Sequence, residues 1–316
     1  MPRVFARLVL ACVIATASRA YAFDGGGGFK VEDGDISGGP QVDVIAYSGS
    51  STTYTTTWTR PAWATVVHLW CIGGGGGGQG GNKATSSFTN FSNGGASAAP
   101  AEGWFRASDL PSSLTVVIGK GATGGSGATT DNGTGGSGGT RNDSRVGVSG
   151  CVPQAAISSQ TSCLVYSYGA NVASQFWTGV AGGTPQQSGS RNQTCLGLAA
   201  QAPGAGGGGG GILASTAIDG YAGSDGCRSP GSGASGGTVA GTRTGSAGSS
   251  YTSGRRVGGG GGGGATSMTA GVAGGNGGAG GTPGGGGGGG GGGLNGTSNG
   301  GTGGAGGDGI CVITSY

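Results

Sequence analysis

Residues 258–309 read GGGGGGGATSMTAGVAGGNGGAGGTPGGGGGGGGGGLNGTSNGGTGGAGGDG, and they decide which kind of structure this chain forms. Two runs within them are pure glycine, Gly258–Gly264 and Gly284–Gly293. Beside these runs, the residues other than glycine recur at every third position. They are Ala273, Asn276, Ala279 and Thr282, then Asn299, Thr302, Ala305 and Asp308, and upstream Thr134, Ser137 and Thr140. A flexible glycine linker has no reason to keep a phase, so the spacing predicts regular structure.

A left-handed helix with three residues per turn explains this phase, because it sends every third side chain to one edge. The helix has no internal hydrogen bonds, so its N–H and C=O groups must find partners on neighbouring segments. Glycine lets those neighbours come close enough to bond. We therefore expect a bundle of polyglycine II helices, in which the run Gly284–Gly293 spans roughly 31 Å.

Two other structures compete with the bundle. Collagen shares the period of three but needs abundant proline, and the chain has 10 prolines in 316 residues. Disorder is favoured by the entropy that backbone ordering costs, about 1 to 2 kcal/mol per residue and most for glycine. The repeated phase favours the bundle over both.

Short apolar segments beside the glycine runs predict β-strands. Trp63–Ile72 carries large side chains on both faces, which is typical of a central strand. Leu114–Ile118 and Ile310–Thr314 are two further strands. Alternation in Val42–Ala46 and in Thr52–Thr59, on either side of a turn, predicts a β-hairpin. The fold class we expect is mostly β plus polyglycine II: a small β-sandwich with a bundle of glycine-rich left-handed helices, and little or no α-helix.

The N-terminus has the features of a secretory signal. Arg3 and Arg7 precede the apolar run Leu8–Ala17, and Ala20-Tyr21-Ala22 fits a cleavage site. The alternative is a segment that stays attached and docks on a partner. The apolar run is too short to cross a bilayer, so we expect no stable membrane span.

We expect three regions in the chain. Residues 1–22 are the signal or docking segment, residues 23–60 are an N-terminal β segment that serves attachment, and residues 61–316 are the glycine-rich domain. Loop insertions are expected in that domain at about residues 82–93, 141–203 and 212–257.

Charge gives no support for a nucleic-acid partner. The net charge of +3 comes entirely from Arg3, Arg7 and Arg19, and the remaining basic residues equal the 12 acidic ones in number. A nucleic-acid-binding face needs an excess of Lys and Arg.

The chain has seven cysteines, of which Cys12 lies in the first 22 residues. The remaining six permit three disulfides with 15 possible pairings. Cys71 and Cys311 are one candidate disulfide, because they lie on strands that we expect to be neighbours. The other four lie in the insertions, at Cys151, Cys163, Cys195 and Cys227.

The sequence offers little for catalysis or for metal binding. His68 is the only histidine, and no CxxC spacing exists, so we expect no metal. The phosphate-loop pattern GxxxxGK[ST] is missing, and looser glycine patterns match polyglycine by chance. The 12 carboxylates are scattered among glycine, and no nucleophile has a recognisable base. We expect no cofactor, no catalytic residue and no enzymatic activity.

Long loops on a rigid support are where binding residues tend to lie, and aromatic and arginine side chains are the usual anchors. The alternative is that each aromatic side chain covers the bundle or the sheet. The candidate receptor contacts are Phe88, Phe91, Trp177, Tyr251, Arg255 and Arg256.

The order of strands and glycine runs resembles a known family. The segments concerned are Thr57–Pro61, Val66–Trp70, Gly73–Gly78, Ala101–Phe105, Leu114–Ala122 and Gly303–Ile313, with a terminal Tyr316. Over about residues 57–140 and 258–316 the chain resembles the glycine-rich domain of tailed-bacteriophage tail fibre and tail-tip adhesin proteins. This resemblance implies a polyglycine II bundle beside a β-sandwich, with loops at the distal tips that recognise a host cell-surface protein or glycan.

Two functions are therefore open. The first is a non-enzymatic structural adhesin, a phage tail fibre or tip component in the virion. The second is a secreted glycine-rich structural protein that forms an extracellular surface filament through exposed glycine or strand edges. Both imply a homo-oligomer or other tail or filament subunits as partners.

Overall fold

A computed structural model describes residues 39–85, 91–139, 141–148, 151, 163–167, 169, 203–213, 216–225, 232–252 and 255–316. Residues 37–316 form one compact unit. Its described part is mostly β, and the helical structure there is a single 3-10 turn, Ala107–Asp109. The predicted signal, Phe88, Trp177, Cys195 and Cys227 lie outside the described residues.

The described strands form two four-stranded antiparallel sheets and two short ladders. The strands are β1 (Gln41–Ala46), β2 (Thr53–Thr59), β3 (Val66–Ile72), β4 (Lys83–Ala84), β5 (Pro100–Arg106), β6 (Ser113–Gly119), β7 (Ser144–Gly147), β8 (Cys163–Ser167), β9 (Ile212–Leu213), β10 (Thr216–Ala217), β11 (Gly293–Leu294) and β12 (Ile310–Ser315). The first sheet has the order β1-β12-β3-β5, and the second has the order β2-β6-β7-β8. β9 pairs with β10, and β4 pairs with β11 in parallel.

The two sheets share a hydrophobic core. Alternate residues of β3, such as Val67 and Leu69, are buried in one cluster with Leu114 and Ile118 of β6. The other face of β3 is also buried, because Trp70 packs in a second cluster that includes Val257. The predicted central position of this strand is confirmed, since β3 lies between β12 and β5. It begins at Val66, three residues later than predicted.

The predicted hairpin is wrong, and the described part of the predicted segment 23–60 supplies one strand to each sheet. β1 pairs with β12 in the first sheet, and β2 pairs with β6 in the second. Val44 of β1 packs against the second cluster, whereas Trp58 of β2 is buried between the sheets. Alternation gave each strand correctly, but it carries no information about which strand will be the partner.

The glycine segments extend from the sheets and bond to one another through their main chains. All ten N–H groups of Gly284–Gly293 donate to carbonyl oxygens of other segments, at 2.8–3.0 Å. Successive N–H groups point to three different neighbours in turn, so that Gly287 and Gly290 donate to Gly76 and Gln79. We call this assembly of segments the glycine lattice.

The run Gly284–Gly293 is surrounded on all sides. Its carbonyl oxygens accept from three further segments, again in turn at every third residue. Residues 76–82, 204–210 and 275–281 accept the N–H groups of residues 285–293, and Asp308 accepts that of Gly284. Residues 92–98, 261–267 and 301–307 donate to the carbonyls of the run. A Cβ on Gly288 would overlap the carbonyl oxygen of Gly262, so no direction is left for a side chain.

The number of neighbours explains the glycine content of each segment. The run Gly258–Gly264 has six neighbours, like Gly284–Gly293, and is also pure glycine. Residues 273–282 and 299–308 have four neighbours each. Every third residue there is not glycine, and its side chain lies at the rim of the lattice. Asn276 and Thr302 are exposed there, as the phase predicts.

The predicted loop insertion at 212–257 contributes to the lattice over much of its described length. Residues 218–225 and 243–251 are lattice segments with three neighbours each. They keep glycine at only one position in three, at Gly220 and Gly223 in the first and at Gly245 and Gly248 in the second. A segment at the rim needs glycine only where it faces the lattice, so its composition does not look glycine-rich.

Candidate functional site

The exposed aromatic side chains of the described chain gather at one end of the first sheet. Trp104 is 58% exposed, Trp63 is 53% exposed and Tyr316 is 39% exposed. Trp63 precedes β3, and Tyr316 follows β12 and bonds through its main chain to Thr65 and Val66. This end of β3 is opposite the end that continues into the glycine lattice at Gly73.

Strand pairing builds a stacked group on the outer face of this sheet. The register places His68 of β3 between Thr314 of β12 and Trp104 of β5. The ring centroids of His68 and Trp104 lie 4.1 Å apart, and those of Trp104 and Tyr316 lie 5.6 Å apart. We call His68, Trp104 and Tyr316 the aromatic face. Its base is rigid, because His68 is fully buried in the central strand.

Charged groups border the aromatic face. The Nε2 atom of His68 lies 3.2 Å from Oε2 of Glu102. Burial lowers the pKa of His68, and the positive charge of Arg255 lowers this pKa further, whereas Glu102 raises it. The imidazole is therefore neutral near pH 7, and Nε2–H donates to the carboxylate because a carboxylate can only accept.

The arrangement suits binding by contact. An indole ring with an open face offers a large apolar surface with negative charge density above it, which attracts C–H groups and cations. His68 and Tyr316 hold the ring in place, while Glu102 and Arg255 supply a hydrogen-bond acceptor and donors nearby. Exposed tryptophan and tyrosine of this kind are the usual anchors of binding surfaces.

The predicted receptor contacts do not form one set. Phe91 is only 6% exposed, its ring lies against Gly211, and its carbonyl accepts from Asn82 Nδ2 at 3.2 Å. Its assignment as a receptor contact is wrong, because its side chain is buried against the lattice. Phe88 and Trp177 lie outside the described residues.

Tyr251, Arg255 and Arg256 lie at the sheet end of the lattice. The main-chain N–H of Tyr251 donates to Thr282, two residues before Gly284, which lies against Ile72 of β3. The guanidinium of Arg256 lies 5.5 Å from the centroid of the Tyr251 ring. The positive charge of Arg255 acts on the pKa of His68, which relates this predicted contact to the aromatic face through electrostatics.

The other end of the lattice is held by polar bonds. Lys83 Nζ lies 2.9 Å from Oδ1 of Asp131, which also accepts the N–H of Gly296 at 2.9 Å. Both contacts lower the pKa of Asp131, the bond from Gly296 most. Asn132 and Asn295 bond to each other twice beside this pair. These bonds tie two turns together.

Several described carboxylates serve as acceptors for main-chain N–H groups. Asp143 accepts from Gly169, Asp219 from Val239, Asp225 from Gly233, and Asp308 from Gly121. These N–H groups belong to segment ends or rims, where a neighbouring carbonyl is missing. The acids therefore complete the hydrogen bonding of the fold.

Two disulfides join described cysteines. Cys71 and Cys311 are direct partners in the register of β3 and β12 and are bonded to each other, which is the pairing named from the sequence. Cys151 is bonded to Cys163. The first disulfide joins the residues just before and just after the lattice, so it closes the lattice into a covalent loop.

Trp104 and Tyr316 are the residues that the search for loop contacts missed. Trp104 lies on the same face of β5 as Glu102, because the two are two residues apart, so an outward side chain was readable in the sequence. What was not readable is that His68 would lie opposite, since this depends on the pairing of β5 with β3 across some 30 intervening residues.

Comparison with known proteins adds no relative. A scan against protein-family models finds no match, and a search of curated proteins finds no similar sequence. Within the described ranges, no group of His, Cys, Asp and Glu residues is arranged to hold a metal ion. No described helix has the length and apolar character needed to span a bilayer.

Proposed function

We propose that the protein is a non-enzymatic structural adhesin that binds a cell-surface protein or glycan through its aromatic face. The observation that carries the proposal is the exposed ring of Trp104, which lies against buried His68 and Tyr316 on a sheet that is continuous with the glycine lattice. A large aromatic ring fixed on a rigid support binds at little cost in side-chain entropy.

The lattice in this proposal is a bundle of polyglycine II helices, and the two sheets are a small β-sandwich. The supporting observation is that N–H groups turn to a new neighbour at each residue and return to the same one at every third residue. A helix with three residues per turn and no internal bonds has this pattern. The bundle acts as a stiff mount.

The resemblance to tail fibre and tail-tip proteins makes a place in a phage tail the first candidate. The second candidate is a secreted filament protein, and the disulfides Cys71–Cys311 and Cys151–Cys163 favour it. Disulfides form in exported proteins and are rare in the cytosol, where phage structural proteins assemble. Export agrees with the predicted signal at residues 1–22.

The proposal is tested by binding of the fluorescently labelled protein to intact bacterial cells and to a printed glycan array. We expect Trp104→Ala to weaken binding about tenfold or more, which corresponds to an anchor residue that contributes about 1.4 kcal/mol or more. Trp63→Ala is the matched control, since it removes an equally exposed tryptophan outside the stack.

Melting temperatures of both variants should stay within a few degrees of the original protein. If Trp104→Ala binds with unchanged affinity, the aromatic face is not the binding surface. Spontaneous growth of fibres from the pure protein, without cell or glycan binding, would favour the filament candidate. Alanine at Tyr251, Arg255 and Arg256 tests the remaining predicted contacts in the same assay.

A further inference from the structure

β2 is the outermost strand of the second sheet, and no strand of the described residues pairs with its outer edge. The bonds from Lys120 N–H to Thr52 and from Arg60 N–H to Ser112 fix which residues of β2 face β6. Main-chain groups alternate in direction along an antiparallel strand. The N–H and C=O groups of every second residue therefore lie in the plane of the sheet and point away from β6. The residues concerned are Thr53, Thr55, Thr57 and Thr59.

The main-chain N–H and C=O groups of these four residues, which point away from β6, form no hydrogen bond with any described residue. Their side chains lie on the outer face of the sheet, because Tyr54 and Trp58 between them point to the core. The edge thus offers four donors and four acceptors in one straight row.

The edge also lacks the devices that keep natural sheet edges from pairing. Such edges carry charges, proline or bulges. Among the other outer strands, β1 contains Asp43, β5 contains Glu102 and Arg106, and β8 has a register shift against β7. β2 reads TYTTTWT, without charge or proline, and its register with β6 is unbroken over all 7 residues.

We propose that β2 is a dimerisation edge that pairs antiparallel with β2 of a second copy of this chain. Full overlap of the strands sets Thr53 opposite Thr59, Thr55 opposite Thr57, and Thr56 opposite itself. Each of the four outward residues then exchanges its N–H and C=O with a partner, so all of these groups are bonded. A second copy is the occupant that the edge fits best, because the strand is complementary to itself and has no charge to repel its copy.

The proposed interface is two-fold symmetric and leaves no β2 edge for a third copy. A two-fold interface uses the same surface on both copies, so it gives a dimer and no filament. Two second sheets become one continuous sheet of eight strands. The aromatic face remains open, because it lies on the first sheet near β5, at the edge away from β1. A dimer that carries two such faces gains avidity on a surface with repeated receptors.

A cysteine scan along β2 tests the register. Directly opposed Cβ atoms lie about 4.5–5.5 Å apart, close enough for a disulfide after small adjustment. We expect Thr56→Cys to give a covalent dimer on mild oxidation, seen on a non-reducing gel. Thr53→Cys is the matched control, since it faces Thr59 of the other copy, and the unchanged protein shows the background from native cysteines. Equal cross-linking of the two variants would overturn the register.

Sedimentation equilibrium of the full chain tests the dimer itself. We expect a monomer–dimer equilibrium, which Thr57→Pro weakens by about thirtyfold because each copy loses one outward N–H donor. The bonds from β2 to β6 do not use this N–H, so the melting temperature should change little. A monomer at every concentration, or growth beyond the dimer, would overturn the proposal. Loss of the dimer without loss of cell binding would leave the adhesin function intact.

Discussion

The two sheets and the glycine lattice satisfy their main chains in different ways. In the sheets, strands bond only in the plane of the sheet, so both faces remain available for side chains such as Leu69 and Trp70. In the lattice, Gly284–Gly293 bonds to neighbours all round, and no face remains for a side chain. A strand therefore gains stability from burial of apolar side chains. A lattice segment gains it from main-chain hydrogen bonds, which form on all sides only because side chains are absent.

The comparison also explains the gradient in glycine content. The runs Gly258–Gly264 and Gly284–Gly293, with six neighbours, are pure glycine. Residues 273–282 and 299–308, with four neighbours, keep a side chain at every third position, and residues 218–225 and 243–251, with three, have glycine once per turn. Position in the lattice thus sets composition residue by residue. Substitutions in the two regions therefore distinguish positions that main-chain hydrogen bonds stabilise from positions that side-chain contacts stabilise.

The largest effect is expected inside the lattice. Gly288→Val places a branched side chain where the carbonyl oxygen of Gly262 lies, and it should cost more than about 5 kcal/mol in the free energy of unfolding. Asn276→Val, at an exposed rim position, should cost less than about 1 kcal/mol. Urea unfolding followed by circular dichroism measures both. Similar costs at the two positions would contradict the lattice.

The second effect concerns the disulfide between β3 and β12 of the first sheet. Cys71 and Cys311 are 240 residues apart, whereas Cys151 and Cys163 are 12 apart. A disulfide that closes a longer loop restricts the unfolded chain more, so alanine at the first pair should cost about 5 kcal/mol and at the second about 3 kcal/mol. The same unfolding assay compares the double variants. A larger loss for the short loop would show that the link acts through local contacts.

The third effect lies in the first sheet and depends on pH. The pKa of His68 is lowered from 6.5, mainly by burial and then by Arg255. The unfolded chain therefore takes up a proton at a higher pH than the folded protein does. This stabilising contribution is present above pH 6.5 and is lost as the pH falls through the lowered pKa of the folded state.

The chain has one histidine, so His68→Gln isolates this effect. Urea midpoints between about pH 7.5 and about pH 5.5 should fall in the original protein more steeply than in the variant. Equal slopes in the two proteins would assign the pH dependence to carboxylates. The glutamine amide can still donate to Glu102, so the hydrogen bond is kept.

The smallest effect concerns side chains at the rim of the lattice. Asn276 Oδ1 accepts the N–H of Thr302 at 3.0 Å, and its loss in Asn276→Ala should cost about 0.5 kcal/mol at this exposed position. Ala279 has the same place one turn further along, next to Ala305. Ala279→Asn should therefore add a similar bond and gain about 0.5 kcal/mol. Changes of the same sign in both variants would argue against this role for rim side chains.

Part of the candidate site was readable in the sequence, and part was not. The sequence selected Arg255, whose charge lowers the pKa of His68, and it also selected Phe91, which is buried. An aromatic residue in a polar segment has the same appearance whether it covers the lattice or faces the solvent. Only the contact with Gly211 distinguishes the two for Phe91.

By itself, the sequence determined local conformation. The phase of three placed Asn276 and Thr302 at a rim, and alternation identified β3, β6 and β12 as strands. Both patterns depend on how one segment presents its own side chains, which is a local property of the backbone.

The tertiary structure alone decided the partners. It sent β1 and β2 to different sheets, gave Gly284–Gly293 its six neighbours, turned part of 212–257 into lattice, and set Trp104 beside His68. Main-chain N–H and C=O groups are the same in every residue, so nothing in a segment's own sequence names the segment that it will bond to. That choice follows from how all the segments fill space together.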